Sequence, residues 1–282
     1  MVAAIVHPDK KTVLPLLNEP IVKEDGKTKN DCELNAAKRL LPALKKAFPC
    51  LEIIITADAL MANGSFIKLV KDQGFNFIIR FKEGNNKTLM DTIQTGIQTG
   101  KTDEFEWYDE DREILRGYRF INDLPLNNTH PDTLVNYLDH WEVDQQETEK
   151  NFARITDMTL SRENVCEVMR AGRSRWKIEN ETFNTLKKLG YHFEHNYGHG
   201  KHYLSTVIGT LTLLAFLLDQ VQELCCKVFQ AAKNRYHSRT SFWEKLRSSF
   251  VEHEISSWEM LYMAIIYGHK GKILTPDYPN TS

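Results

Sequence analysis

Between Val2 and Arg80 the chain alternates short apolar runs with segments of helical period, and this alternation restricts the fold more than any other feature. Val2–Val6 and Val13–Leu17 are rich in Val, Ile and Leu and flank His7-Pro8-Asp9-Lys10, the pattern of two strands joined by a turn. Asn30-Asp31 opens a helix with Leu34, Ala37, Leu40, Leu41 and Leu44 on one face, and Pro49 ends it. Leu51–Ile55 reads as a buried strand, with Asp58 directly after it. Asn63-Gly64 makes a turn, Phe66–Lys71 is helical up to Gly74, and Phe75–Ile79 is another strand. Strand, strand, helix, strand, helix, strand predicts an α/β layout around a mostly buried sheet.

Residues 103–157 change character. Phe105 to Tyr108, Ile114 to Ile121 and Val135 to Ile155 look like strands with charged alternate positions, a β-rich insertion. Helical period returns at Ser161, which with Asn164 starts a helix running through Val168, Met169, Trp176, Phe183 and Leu186 to Gly190. A His-rich loop, an apolar helix over 203–224 and a helical tail with Trp243, Phe250 and Trp258 follow; the three aromatics suggest a small helical core. The segments are therefore 1–100, 101–157, 158–222 and 223–282.

Charge is distributed unevenly over these segments. The whole chain is near neutral, at −2, so it is no basic clamp along its length. Residues 101–157 hold 6 basic and 15 acidic residues, whereas residues 158–202 hold 8 basic and 5 acidic, so a phosphate-bearing partner should meet the second stretch. With 41% hydrophobic residues and a mean hydropathy of −0.44, collagen-like and disordered chains are excluded. Five irregularly spaced Cys with no CxxC argue against a disulfide framework or zinc finger and for a reducing cytoplasm. The N-terminus lacks the basic start and long apolar run of a signal peptide. The uncharged run Tyr203–Leu218 falls short of the ~20 residues of a membrane span, which predicts a buried helix and no membrane partner.

Three places could carry chemistry. Asp58 stands at the carboxyl end of an apolar strand, where open α/β sheets bind ligands; it is equally a good helix cap. Arg170, Arg173, Arg175 and Lys177 put four cations in eight residues, with Arg175–Glu179 and Lys177–Glu181 at helical (i, i+4) spacing. Surface ion pairs explain that spacing, and so does a site that holds a metal and grips phosphates. His192, His195, His199 and His202 could ligate a metal, but HExxH is absent, and hydrogen bonding explains them better. GxGxxG, GxxxxGK[ST] and GxSxG are also absent, which removes the main support for dinucleotide, P-loop and hydrolase readings.

Arg175-Trp176-Lys177-Ile178-Glu179-Asn180, followed by Phe183, Leu186 and Lys187, resembles the C-terminal signature of bacterial insertion-sequence transposases of the DDE group. Asp58 in ITADAL matches the place of that family's second acid, and the resemblance spans roughly residues 2–220. It implies a ribonuclease-H-like mixed sheet flanked by helices, with a β insertion before the helix carrying the last acid and a helical C-terminal tail. It also implies metal-dependent cleavage and strand transfer of DNA, with Asp58 and Glu179 as catalytic residues and ligands of Mg2+ or Mn2+. Arg173, Arg175, Lys177, Lys187 and Lys188 would hold DNA, either transposon ends or target, and the family usually works as a dimer on paired ends.

Two departures stand out. The family pattern Y-(2)-R-(3)-E-(6)-K meets Gly172 where Tyr belongs and Leu186 where Lys belongs, with Lys187 one step later. Counting from Glu181 instead gives Lys177, Glu181 and Lys188, so Glu181 is the reserve for Glu179. The family's first Asp lies on a first strand that this chain does not show; Asp9, Asp25 and Asp31 lie outside strand centres. The resemblance thus implies a copy truncated before Met1, with little or no strand transfer. The competing expectations are a non-catalytic DNA-binding remnant and a His-metal hydrolase unrelated to DNA.

Overall fold

The computed structural model describes residues 1–21, 32–198, 203–252 and 254–267. The chain divides into two compact units, residues 1–11 with 17–177 and residues 12–16 with 178–282. The division falls inside the segment 158–222.

In the first unit local chemistry sets the helix starts. Asn63 accepts the Phe66 N–H at 3.0 Å and begins α2 (Gly64–Asp72); Asn86 accepts the Leu89 N–H at 3.1 Å and begins α3 (Lys87–Gln98). Helix α1 (Glu33–Ala47) buries Ala37, Leu40, Leu41 and Leu44 of the expected stripe together with Ala36, while Leu34 is only half-buried; the expected start at Asn30-Asp31 lies outside the described residues. β1 (Val2–His7) and β2 (Lys10–Asn18) form a two-stranded sheet, as their composition suggests.

The main sheet is mixed and has the order β3-β4-β8-β7-β6-β5. β3 (Ile54–Ala57) runs parallel to β4 (Asn76–Arg80), and the other neighbours are antiparallel: β5 (Asp103–Asp109), β6 (Ile114–Asn127), β7 (His130–Val143) and β8 (Glu149–Thr156). The stretch expected as one strand from Val135 to Ile155 is a hairpin, because Asp144 accepts the N–H groups of Gln146 and Thr148 and turns the chain. β8 pairs with β4, so the insertion is continuous with the core sheet. The strand expected to be buried at Leu51–Ile55 is a half-exposed edge strand. Among the described residues β3 is bonded to a neighbour on one side only, and Leu51 and Ile54 face solvent.

Helices cover both faces of this sheet, the layout of a ribonuclease-H-like fold. Helix α4 (Val165–Arg173) packs Val165, Val168 and Met169 against Ile78, Tyr118, Phe120 and Leu138. Alternate residues point the other way, and there Gly96 of α3 meets Ile121.

The helix expected from Ser161 to Gly190 is interrupted. Ser174 donates its hydroxyl to the Ala171 carbonyl, α4 stops, and a π-helical turn over Ile178–Phe183 leads into α5 (Asn184–Lys188).

In the second unit α6 (Leu204–Cys225) is followed by α7 (Lys227–Lys233), α8 (Arg239–Glu252) and α9 (Trp258–Tyr267). Phe229, Phe242, Leu246, Leu261, Tyr262 and Ile265 form the core of this tail. Of the three aromatics expected there, Trp243 packs against it, while Phe250 and Trp258 are largely exposed and meet edge to face. Helix α6 is not the buried helix expected. Leu213, Phe216 and Gln220 turn inward, but a full stripe of Leu and Val faces out. At 22 residues it is long and apolar enough to span a membrane by length and composition.

Candidate active site

Asp58 follows the last residue of β3, at the carboxyl end of the parallel β3–β4 pair. Its Oδ1 accepts the Leu60 N–H at 3.0 Å and caps a 3-10 turn over Ala59–Met61. Both readings of Asp58 therefore remain compatible with its position: one oxygen caps, and the other has no hydrogen-bond partner among the described residues.

Glu179 and Glu181 both lie in the π-helical turn, in the second unit, whereas Asp58 lies in the first. A π turn closes rings one residue longer than an α turn, so it absorbs one extra residue in a helix. This gives a physical account of the Lys offset. With one residue absorbed between Glu179 and Lys187, Lys187 takes the angular place that residue 186 would hold in an unbroken helix. Leu186 is fully buried, while Lys187 is exposed and lies 2.9 Å from Glu194. The other departure also has a steric cause. A Cβ on Gly172 would stand 2.7 Å from Ile78 and 3.1 Å from Arg154, so α4 lies too close to the sheet for a Tyr there.

The cations behave differently from one another. Lys177 donates to the carbonyls of His7, Pro8 and Lys10, each at 2.7 Å, and ties down the β1–β2 turn rather than pairing with Glu181. Arg173 donates to Glu142 at 2.8 Å and lies 4.0 Å over the Phe152 ring. Burial alone would raise Glu142, but this bond and its His140 contact hold the carboxyl below its ordinary value. Arg170 pairs with Asp9 in the open, a contact that water makes weak. Arg175 sits between α4 and the π turn, and Lys188 is exposed at the end of α5.

Sequence reasoning missed three arginines. Arg112 and Arg116, from the acidic insertion, line a cleft of about 680 Å³ in the first unit together with Trp107, Glu142, Arg170 and Arg173. Arg116 shares a strand face with Tyr118, a signal that alternation along β6 carries. The third is Arg154 of β8. It is 8% exposed, sits opposite Arg80 across the β4–β8 ladder, and donates to the Ala153 carbonyl. No carboxylate partners it among the described residues. Burial first, then the like charges of Arg80, Arg173 and Arg175, weaken its hold on its proton.

The described residues include no cluster of three or more His, Cys, Asp or Glu side chains that could hold a metal. Asp58 stands in the first unit and Glu179 in the second. His192 and His195 are described, with His195 against Tyr197; His199 and His202 of the expected His cluster lie outside the described residues.

The family model for the transposase DDE domain matches residues 13–217, well over half of the chain and a span that holds both acids. No curated protein matches the chain.

Proposed function

Because the chain belongs to the DDE transposase family, we propose that it is a DNA transposase that cleaves the ends of an insertion sequence and joins them to target DNA by cut-and-paste, in the cytoplasm. In this reading Asp58 and Glu179 are two of the catalytic acids, and the family's divalent ion, Mg2+ or Mn2+, takes them as ligands. Bound there, the ion would supply charge to the reacting phosphodiester.

Arg154 is the observation that supports DNA most strongly. A buried guanidinium set among other arginines, with no acid beside it among the described residues, destabilises the free protein and is relieved by a polyanion. In the first unit Arg112 and Arg170 line the cleft, beside Asp109, Asp111 and Glu142, and Arg175 follows α4; in the second unit Lys187 and Lys188 are exposed on α5. Arg173 and Lys177 contribute after giving up Glu142 and the turn carbonyls.

The test separates binding from chemistry. Arg154→Met should raise the melting temperature of the DNA-free protein and weaken its binding to end DNA about tenfold or more; unchanged affinity sinks the role given to Arg154. Metal-dependent nicking should disappear in Asp58→Asn and Glu179→Gln while DNA binding persists, and nicking that survives Glu179→Ala removes the catalytic assignment. A second reading, DNA binding without turnover, is supported by Gly172 and Leu186, which stand where the family pattern has Tyr and Lys. It predicts binding by the wild type and no nicking with either ion.

A further inference from the structure

His140 of β7 is buried, at 1% exposed, in the face of the main sheet that α4 covers. Its ring stacks on Tyr118 at 4.2 Å, with the Phe152 ring at 6.0 Å on its other side; the two are its ladder partners on β6 and β8. Nδ1 lies 2.8 Å from the Gly117 carbonyl, an oxygen that can only accept, so Nδ1 carries a proton. Nε2 lies 3.1 Å from Glu142 Oε1, and that same oxygen accepts from Arg173 at 2.8 Å.

One carboxylate oxygen thus stands between an imidazole and a guanidinium. Both partners of the ring are acceptors, so a neutral His140 satisfies Gly117 and turns the bare lone pair of Nε2 toward Glu142. The meeting of lone pairs is tolerable while Arg173 neutralises the oxygen. Burial, the largest influence, holds His140 below its ordinary 6.5 in spite of its two acceptors, so the ring is neutral near pH 7.

Arg173 lines the cleft of the first unit, and to reach a phosphate there it must let go of Glu142. The carboxylate left behind is 14% exposed and lines the same cleft, a costly place for an uncompensated charge. A proton on the His140–Glu142 contact removes that cost. On Nε2 it turns the clash of lone pairs into a charge-assisted hydrogen bond and replaces the positive charge that Arg173 withdrew.

The other titratable groups facing the ring do not compete for this proton. From β6 comes the Tyr118 hydroxyl, pushed up to about 12 chiefly by burial, and Arg116, which pairs with Asp109 at 3.1 Å. From α4 come Arg173 itself and Cys166, whose thiol burial also pushes up. From β8 come the Phe152 ring and, one position further on that face, Arg154. These tyrosine, cysteine and arginine groups keep their charge between pH 6 and 8.

We propose that His140 is a positioning residue for Arg173: when Arg173 takes a phosphate, the His140–Glu142 pair takes up one proton, so that DNA and a proton bind together. The proposal rests on the DNA reading of the cleft.

Calorimetric titration of the full chain with a short DNA duplex, in two buffers of different ionisation enthalpy, counts the protons taken up on binding. A duplex of arbitrary sequence serves, since a phosphate contact does not read bases. Glu142→Gln is the reference, because its amide donates to Nε2 and accepts from Arg173 with no added proton. At pH 7 the wild type should take up close to one proton more than Glu142→Gln. From pH 6.5 to 8 its affinity should fall more steeply than the variant's, by up to about tenfold per pH unit. Nitrogen NMR of the DNA-free protein reads the ring itself. His140 should be neutral at pH 7 in the wild type, and in Arg173→Gln, which takes the cation off Glu142, it should titrate about one pH unit higher or more. A His140 titration unmoved in Arg173→Gln overturns the proposal. Equal proton uptake by the wild type and Glu142→Gln also overturns it, and leaves the DNA reading standing. A wild type that binds no duplex overturns the DNA reading, and the proposal with it.

Discussion

Asp219 carries a charge in a place that does not favour one. Burial pushes its carboxyl up to about 6 from the ordinary 3.8, against the opposing pull of the Tyr191 hydroxyl and of Arg239. A raised value means that the folded state holds the proton more tightly than the unfolded chain. The stabilisation is therefore full below about pH 4 and is lost as pH rises through about 6. Asp219→Asn keeps an acceptor for Tyr191 and removes the charge. It should stabilise the second unit by up to about 3 kcal/mol near neutral pH and by nothing below about pH 4; urea melts at the two pH values check this. Other residue-scale features vary in how well they can be read from a chain. Asp58 and Glu179 are legible because strand ends and short motifs are local. Arg154 is not, since the Arg80 set opposite it comes from the pairing of β8 with β4, far away in sequence. Lys177 looks like a phosphate ligand until the carbonyls of the β1–β2 turn are seen around it.

At the scale of elements, β6 and β7 depend on a single glycine. Trp141 lies flat over Gly117, its Nε1–H donating to Glu106 at 2.9 Å and Arg119 stacked 5.2 Å from its ring. A Cβ on Gly117 would fall 2.0 Å from the indole. Gly117→Ala should therefore displace the ring and cost about 1–3 kcal/mol in chemical denaturation, whereas a glycine with open space, such as Gly84, should tolerate Ala within about 0.5 kcal/mol. Helices α1 and α2, the two N-terminal strands and β4 are legible from periodicity, because each buries one clear stripe or run. The break at Ser174 and the π turn are not, since one extra residue in a helix leaves its apolar pattern nearly intact over a turn or two. Helix α6 misleads for a different reason: composition reports how apolar a helix is, and only the packing around it reports which face is covered.

Over the whole molecule, the acidic insertion and the basic stretch after it keep the net charge near zero while leaving arginines grouped along one cleft. DNA affinity should then fall steeply with salt. Lys188→Ala should weaken binding to all sequences alike and make the log–log slope shallower by about 1. Arg173→Ala should change the slope less, because Glu142 already neutralises that charge. Fluorescence anisotropy across a salt series distinguishes the two. The same sheet that joins insertion to core also sets an order of events during synthesis. Ile78 pairs with Thr156, so β4 leaves the ribosome with one edge open and waits for a partner 78 residues behind it. At 5–20 residues per second that delay is roughly 4–16 s. Meanwhile β5, β6, β7 and β8 can zip into hairpins one after another, each from near neighbours, and deliver β8 to the waiting edge. The insertion thus closes the core in time as well as in space, and a ribosome stalled before residue 149 would hold a half-built sheet that invites strands from other nascent chains.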